Sequence, residues 1–216
     1  PRDPRMGAEP EINWKNGDAN LIDLLFVYPD EVTAQEGSTA NVEAIIHAAV
    51  ADSNLCLRNS LVPAQFRVVH MAEVAYDPTG DLDTDLSRLK DSTDGEMDNV
   101  HALRDTYGAD IVCMLTTDGG SLGGLASTLT YPSLDFAEHA FNVNVISQLG
   151  APSYTLAHEI GHNLGCLHNR EDVNSSRDYS GYEFVEFCYG KRWESGGEAY
   201  RTVMSYNETP PNYQTI

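Results

Sequence analysis

Residues 158–168 read HEIGHNLGCLH, and this segment constrains the fold more than any other part of the chain. His158 and His162 stand four positions apart, so on an α-helix they share one face and their imidazoles can reach the same ion. Gly165 follows, and glycine readily takes the left-handed conformation that ends a helix abruptly. The chain can then turn back and present His168 as a third ligand. The segment therefore predicts a helix that ends beside a metal.

Three protein nitrogens with one open position are typical of a catalytic zinc site, whereas a structural site is closed by protein ligands. Glu159 stands beside the first histidine, close to the metal but not bound to it. Zinc would lower the pKa of a bound water and polarise a substrate carbonyl. Glu159 would accept the proton of that water and deliver it to the leaving amine. The alternative, three core histidines satisfied by hydrogen bonds, leaves the glycine hinge a coincidence.

Apolar runs and helical spacing predict alternating strands and helices up to residue 164, which indicates an α/β sandwich. Strands are predicted at 21–28, 66–76, 110–116, 126–129 and 141–146, and helices at about 38–57, 86–100 (with a break around Gly95) and 152–164. Residues 169–200 lose this order and are predicted to be irregular. Residues 1–20 are polar and proline-rich, which favours an extended N-terminal arm.

The charge balance excludes two classes of partner. The chain has 33 acidic and 13 basic residues and a net charge of −20. Nucleic acid and anionic membranes both need a basic surface, so neither is an expected partner.

An apolar run of about 18 residues is missing, so no transmembrane helix is expected. Because the chain begins at Pro1 rather than Met, we expect a processed form or an excised segment.

The even number of cysteines is consistent with two disulfides. We expect Cys166–Cys188, which would close a short loop beside the metal, and consequently Cys56–Cys113, which would tie a helix to a strand. Disulfides would indicate an oxidising compartment. Four buried free thiols are the alternative.

A second motif, TVMSY at residues 202–206, completes a resemblance to the metzincin signature, in which HExxHxxGxxH precedes a turn that contains methionine. The resemblance implies that Met204 forms an apolar floor beneath the metal. In the astacin and serralysin families a tyrosine two residues later binds zinc or stabilises the oxyanion, which makes Tyr206 a candidate for that role. The alternatives are ordinary core packing for Met204 and a local hydrogen bond for the Tyr206 hydroxyl.

Within the metzincins, the chain is most similar to the bacterial peptidyl-Asp metalloendopeptidases, with reprolysin-like enzymes next. Asn169 replaces the aspartate that in reprolysin-like enzymes follows the third ligand and anchors the turn below the metal. The resemblance implies an α/β (α+β) metzincin-like zincin fold in one catalytic domain at 20–216. An upper subdomain (about 20–165) would carry a twisted mixed sheet with helices, and a lower subdomain (about 166–216) would be irregular.

The resemblance also implies how a substrate binds. The segment at 123–126 resembles the edge strand above the metzincin cleft, to which a peptide adds as an extra strand. Its residues, Gly123, Gly124, Leu125 and Ala126, are therefore candidate substrate-binding residues, and a plain flexible loop is the alternative. Cleavage before aspartate would need a positive pocket, for which Arg201 is the first candidate. Other basic residues of the lower subdomain are Arg170, Arg177, Lys191 and Arg192, and surface exposure is the alternative for all of them.

The sequence thus predicts a secreted, extracellular and monomeric zinc endopeptidase that acts on proteins or peptides. One rival is a catalytically silent, zinc-stabilised binding module, but a structural site has no use for Glu159. Another rival is a zinc hydrolase of non-peptide amides, which the glycine-rich edge strand disfavours. The acidic loop that contains Asp77, Asp81, Asp83 and Asp85 is either a calcium site or, as we favour, a solvated loop.

Overall fold

Five strands form one mixed sheet in the computed structural model, which describes residues 20–170, 188–206 and 214–215. The strands are β1 (Asn20–Tyr28), β2 (Ala64–Glu73), β3 (Ile111–Thr116), β4 (Gly124–Ala126) and β5 (Phe141–Val145). They lie in the order β2-β1-β3-β5-β4. β4 pairs antiparallel with β5, and the other pairs are parallel. The predicted mixed sheet is confirmed, with β4 at an edge.

Helices cover both faces of this sheet. They are α1 (Asp30–Glu36), α2 (Thr39–Asn59), α3 (Leu82–Lys90), α4 (Asn99–Tyr107) and α5 (Thr155–Asn163), with 3₁₀ helices at Leu134–His139 and Ile146–Gln148. On one face, α2 and α5 bury a cluster that includes Phe26, Ile46, Leu156 and Ile160. On the other face, α3 and α4 bury Val27, Leu86, Val100 and Val143. Because β1 and β3 are covered on both faces, they are apolar along nearly their whole length.

The helix predicted over residues 86–100 is divided around Gly95, as predicted, but its two parts have wider bounds, α3 at Leu82–Lys90 and α4 at Asn99–Tyr107. Gly95 lies between them with φ +90°, a left-handed conformation that interrupts a helix. The predicted start of α5 at residue 152 is wrong. Tyr154 has φ +58° and therefore stands before the helix rather than within it. The edge strand predicted at 126–129 lies instead at Gly124–Ala126.

A second, smaller sheet lies in the region predicted to be irregular. It contains β6 (Arg192–Ser195), β7 (Glu198–Arg201) and β8 (Gln214–Thr215). These strands lack an apolar face, so the sequence pattern did not reveal them. The Trp193 and Tyr200 rings stack across β6 and β7 with centroids 5.7 Å apart. Residues 1–19 of the predicted arm and residues 171–187 lie outside the described residues, and the division into two subdomains stays a prediction.

None of the four cysteines forms a disulfide, which contradicts both predicted pairs. Cys113 is fully buried in β3, where its thiol contacts the side chain of Asn142. Cys56 instead stands on α2 beside Asp52. Burial raises the pKa of the Cys166 thiol and the nearby Cys188 adds to this shift, yet the two cysteines are not bonded. None of the described helices is long and apolar enough to cross a membrane.

Candidate metal centre

The three predicted histidines converge at the end of α5. Their Nε2 atoms lie 3.2 Å apart between His158 and His162, 3.1 Å between His158 and His168, and 3.0 Å between His162 and His168. Gly165 has φ +89°, so the chain reverses as predicted. The amide of Cys166 donates to the carbonyl of Gly161 at 2.8 Å, which closes the last turn of the helix.

This arrangement fits zinc. A tetrahedral ion about 2.0–2.1 Å from each nitrogen requires the nitrogens to be about 3.3 Å apart, close to the observed spacing. The described residues contain no second group of three or more potential metal ligands. Nδ1 of His158 donates to the carbonyl of Val203 at 2.9 Å, and Nδ1 of His162 to that of Cys166 at 2.8 Å. These bonds place the proton on Nδ1 and leave the Nε2 lone pair for a metal.

The electrostatic surroundings also favour neutral imidazole. Burial lowers the pKa of His158, the hydrogen bond to Val203 opposes this shift, and the nearby charge of Arg201 adds to it. A neutral imidazole is the form that binds zinc.

Glu159 is 5% exposed and lies between α5 and the edge strand. A Cβ atom added to Gly124 would come within 2.7 Å of Glu159 Cγ and 2.8 Å of its Oε1. Glycine at position 124 is therefore what allows β4 to approach the glutamate. Gly123 is similarly crowded, since a Cβ there would lie 2.7 Å from Oε1 of Gln148. The structure thus brings Glu159 and the predicted substrate strand into direct contact.

Met204 and Tyr206 both lie close to the histidine cluster. Met204 is buried, and a Cβ atom on Gly161 would overlap its Sδ. Gly161 stands between the two helical histidines, so Met204 packs directly against the metal-binding turn. The Tyr206 ring lies 4.1 Å from the His168 ring between centroids and is 44% exposed. Both residues of the predicted methionine turn therefore lie next to the histidine cluster, and their roles as floor and oxyanion donor stay predictions.

Arg201 stands at the end of β7, near the metal centre. Its Nη1 donates to the carbonyl of Ser205, and its buried Nε has no hydrogen-bond partner. Burial lowers the pKa of Arg201, and no carboxylate among the described residues offsets this effect. A half-buried guanidinium without an acid beside it is costly unless an anion completes the site.

Among the described residues, the aspartates of the acidic loop do not form a group of three or more potential metal ligands, and calcium binding there stays a prediction. Asp85 is fully buried and accepts from the Tyr76 hydroxyl at 2.5 Å and from Thr79. Asp81 accepts from the Thr84 hydroxyl at the start of α3. Asp77 and Asp83 are exposed.

Sequence reasoning missed three buried asparagines, Asn142, Asn144 and Asn163. The segment FNVNV of β5 places two of them on one face of a buried strand, where polar residues are uncommon. Two asparagines alternating with apolar residues in a predicted buried strand were the sequence feature that could have indicated this cluster.

A three-histidine zinc site on a helix that packs against a mixed sheet, with a methionine turn beside it, is of the metzincin type. The profile of the family described as Metallo-peptidase family M12 (Reprolysin_5) matches residues 18–215, and the chain belongs to this family.

Relatives with known names agree with this assignment. The chain is 32% identical over 182 residues to the peptidyl-Asp metalloendopeptidase of Stenotrophomonas maltophilia K279a, covering 82% of this chain and 39% of the relative. It is 29% identical to the protein of the same name from Xanthomonas campestris pv. campestris, covering 94% and 45%. The chain therefore spans less than half the length of these relatives.

Among solved structures, the chain is similar to one described as a chaperone–substrate complex. The TM-score is 0.59 and the sequence identity 26%, over 71% of this chain and 27% of that one.

Proposed function

We propose that the chain is the catalytic domain of a secreted, monomeric zinc endopeptidase that hydrolyses internal peptide bonds of proteins or peptides and prefers aspartate after the scissile bond. The observation that carries the proposal is the convergence of three histidine Nε2 atoms beside a buried glutamate on the same helix. His158, His162 and His168 would hold the ion, which supplies Lewis-acid polarisation of the substrate carbonyl and acidification of water.

Glu159 would serve as the general base. Its carboxylate lies against Gly124, between the helix that carries two ligands and the strand that would carry the substrate. From there it would accept the proton of the attacking water and deliver it to the nitrogen of the leaving amine. Burial of the carboxylate excludes bulk water, which competes for that proton.

Tyr206 would stabilise the oxyanion. Its ring lies 4.1 Å from the His168 ring between centroids and the residue is 44% exposed, which supports a role in which the hydroxyl would donate to an oxygen that develops negative charge. Met204 would support the metal-binding turn through its contact with Gly161.

The substrate backbone would pair with β4. This strand lies at the end of the sheet order and pairs with β5 on one side. Its other side offers Gly123, Gly124, Leu125 and Ala126 to an extended peptide, and backbone pairing of this kind gives affinity without sequence preference.

Arg201 would supply the preference for aspartate. The guanidinium lacks an acidic partner among the described residues, and its buried Nε–H group donates no hydrogen bond there. A carboxylate is the group that pairs with such a donor most strongly. The name of the two relatives, peptidyl-Asp metalloendopeptidase, is consistent with this role.

The test is digestion of a denatured protein by the zinc-loaded chain, with fragment ends read by mass spectrometry. Glu159→Gln keeps the shape of the side chain and removes the base, so cuts should disappear while bound zinc remains stoichiometric. Zinc binding without cleavage by the wild type would instead support a silent binding module. Hydrolysis of small amides but not of peptides would support the other alternative function, a zinc hydrolase of non-peptide amides.

Specificity needs a second comparison. Arg201→Gln should abolish the clustering of aspartate at cut sites, whereas Arg192→Gln, on the paired position of β6, should leave it intact. Equal loss of clustering in both variants would contradict the assignment of Arg201.

A further inference from the structure

Three buried asparagines form a hydrogen-bonded line from the sheet to the metal-binding helix. Asn144 Nδ2 donates to Asn142 Oδ1 at 2.7 Å, and Asn142 Nδ2 donates to Asn163 Oδ1 at 2.8 Å. Asn142 and Asn144 are fully buried, and Asn163 is 3% exposed. A buried amide is costly unless its hydrogen bonds are made, and each bond fixes the direction of its partner. This asparagine line therefore fixes the position of β5 relative to α5 more closely than non-directional apolar contacts would.

Asn163 extends the line to a third element. Its Nδ2 donates to the carbonyl of Ser127 at 2.8 Å and to that of Phe141 at 3.0 Å. Ser127 directly follows β4. Two residues later, the amide of Leu129 donates to the carbonyl of His162, a metal ligand, at 3.0 Å. The chain leaving the edge strand is therefore fastened to the last turn of α5.

The opposite end of the strand also meets the helix. Gly124 lies against Glu159, where a Cβ atom would be 2.7 Å from Cγ. Steric contact thus sets the separation at one end of β4, and the amide of Asn163 sets it at the other. On α5 these two contacts are made by Glu159 and Asn163, so His162 lies between them and His158 directly precedes the first.

We propose that Asn163, oriented by Asn142, is a positioning residue that fixes β4 relative to the zinc histidines and so sets the scissile bond of a strand-bound peptide over the metal. This inference rests on the proposed function, because the position of the edge matters to catalysis if a peptide pairs with it. A misplacement of about 1 Å can cost roughly a hundredfold in rate. Substrates that span β4 should depend on Asn163, and substrates too short to reach it should not.

The experiment compares a long peptide that spans β4 with a truncated peptide that keeps the scissile bond. For Asn163→Ala we expect kcat/KM to fall by roughly tenfold or more for the long peptide and by less than about twofold for the truncated one. Zinc affinity should stay within about twofold, since the Nδ1 bonds of the ligands are untouched. Asn142 is not adjacent in sequence to any metal ligand. Asn142→Ala should nevertheless lower kcat/KM more for the long peptide than for the truncated one.

Ile160→Val is the matched control, because it removes one buried methyl group from the same helix without touching the asparagine line. It should affect both peptides equally. Equal losses on both peptides for Asn163→Ala and Asn142→Ala, or losses that follow zinc affinity, would overturn the inference.

Amide exchange separates this inference from the proposed function. In Asn163→Ala, hydrogen exchange at the backbone amides of Ser127 and Leu129 should accelerate more than exchange at the amides of β5 and α5. This readout needs no catalysis, so it decides the anchoring role even if the wild type cleaves neither peptide. Unchanged exchange at both amides would overturn the inference.

Discussion

The side-chain oxygen of Asn169 accepts a hydrogen bond from the backbone N–H of Tyr206 at 3.1 Å. Asn169 is fully buried and directly follows His168. The turn that carries Met204 and Tyr206 is therefore tied to the residue after the third ligand. Resemblance to reprolysin-like enzymes implies an aspartate as the anchor at this position, and here the amide oxygen of asparagine makes the bond.

Asn169→Ala should destabilise this turn. The variant removes the side-chain oxygen that accepts from the Tyr206 amide, and loss of a part-buried hydrogen bond of this kind costs about 0.5–1.5 kcal/mol. Zinc affinity and kcat should both fall, as measured by competition with a chelator and by peptide hydrolysis. Asn169→Asp keeps the acceptor and should retain more of both than the alanine variant. If the two variants behave alike, the Asn169–Tyr206 bond does not anchor the turn.

Gly124→Ala should impair catalysis through Glu159. The added methyl group would lie 2.7 Å from Glu159 Cγ and 2.8 Å from Thr155 Cγ2, so the strand or the helix must shift. Overpacking of this kind costs about 1–3 kcal/mol, which thermal unfolding would measure. We expect kcat to fall more than substrate affinity. Ser127→Ala is the control, since it removes a hydroxyl that has no hydrogen-bond partner among the described residues.

Gly161→Ala should lower zinc affinity, and Met204→Ala should partly restore it. The methyl group on Gly161 overlaps Met204 Sδ, so it pushes the methionine turn away from the helical ligands. Truncation of Met204 makes space for that methyl group, so the two substitutions should be non-additive. A double-mutant cycle on zinc affinity measures the coupling. Additive effects would show that the contact does not support the metal-binding turn.

Removal of the metal should destabilise the fold. Three imidazole nitrogens lie 3.0–3.2 Å apart, an arrangement that an ion between them holds together. An ion that binds the folded form stabilises it by about 2.7 kcal/mol at 100 times its Kd. The Tm should therefore rise with free zinc and fall on chelation, and His168→Ala should reduce this dependence. A Tm independent of zinc would contradict metal binding at this site.

Alkylation of the native protein should distinguish the thiols. Burial raises the pKa of the Cys113 thiol to about 12, so this residue should react after unfolding. Cys56 is partly exposed and should react before it. Mass spectrometry without reductant should find four free thiols. Detection of a Cys166–Cys188 cross-link would contradict the free state of these two residues.

The metal ligands could be predicted because their geometry is local. Helical spacing places His158 and His162 on one face, and Gly165 fixes the reversal that brings His168 back. The central strands could also be predicted, since β1 and β3 are covered on both faces and are therefore apolar along nearly their whole length.

Other features depend on contacts between distant parts of the chain. The asparagine line joins β5, α5 and the segment after β4, and no local sequence pattern predicts the hydrogen-bond partner of each side-chain amide. Helix α1 buries Val32 alone, so it has no apolar periodicity to detect. Strands β6 and β7 carry charged and aromatic residues without an apolar face. The contact between Gly124 and Glu159 likewise follows from packing, not from spacing along the chain.

The edge position of β4 also bears on self-association. An unpaired strand edge is a template for any extended chain, including a second copy of the same protein, and long edges of this kind promote aggregation. β4 is three residues long, and one of these is glycine. Under the proposed function, an edge this short would bind an extended peptide with help from the metal, but it offers too few backbone pairs to join two sheets.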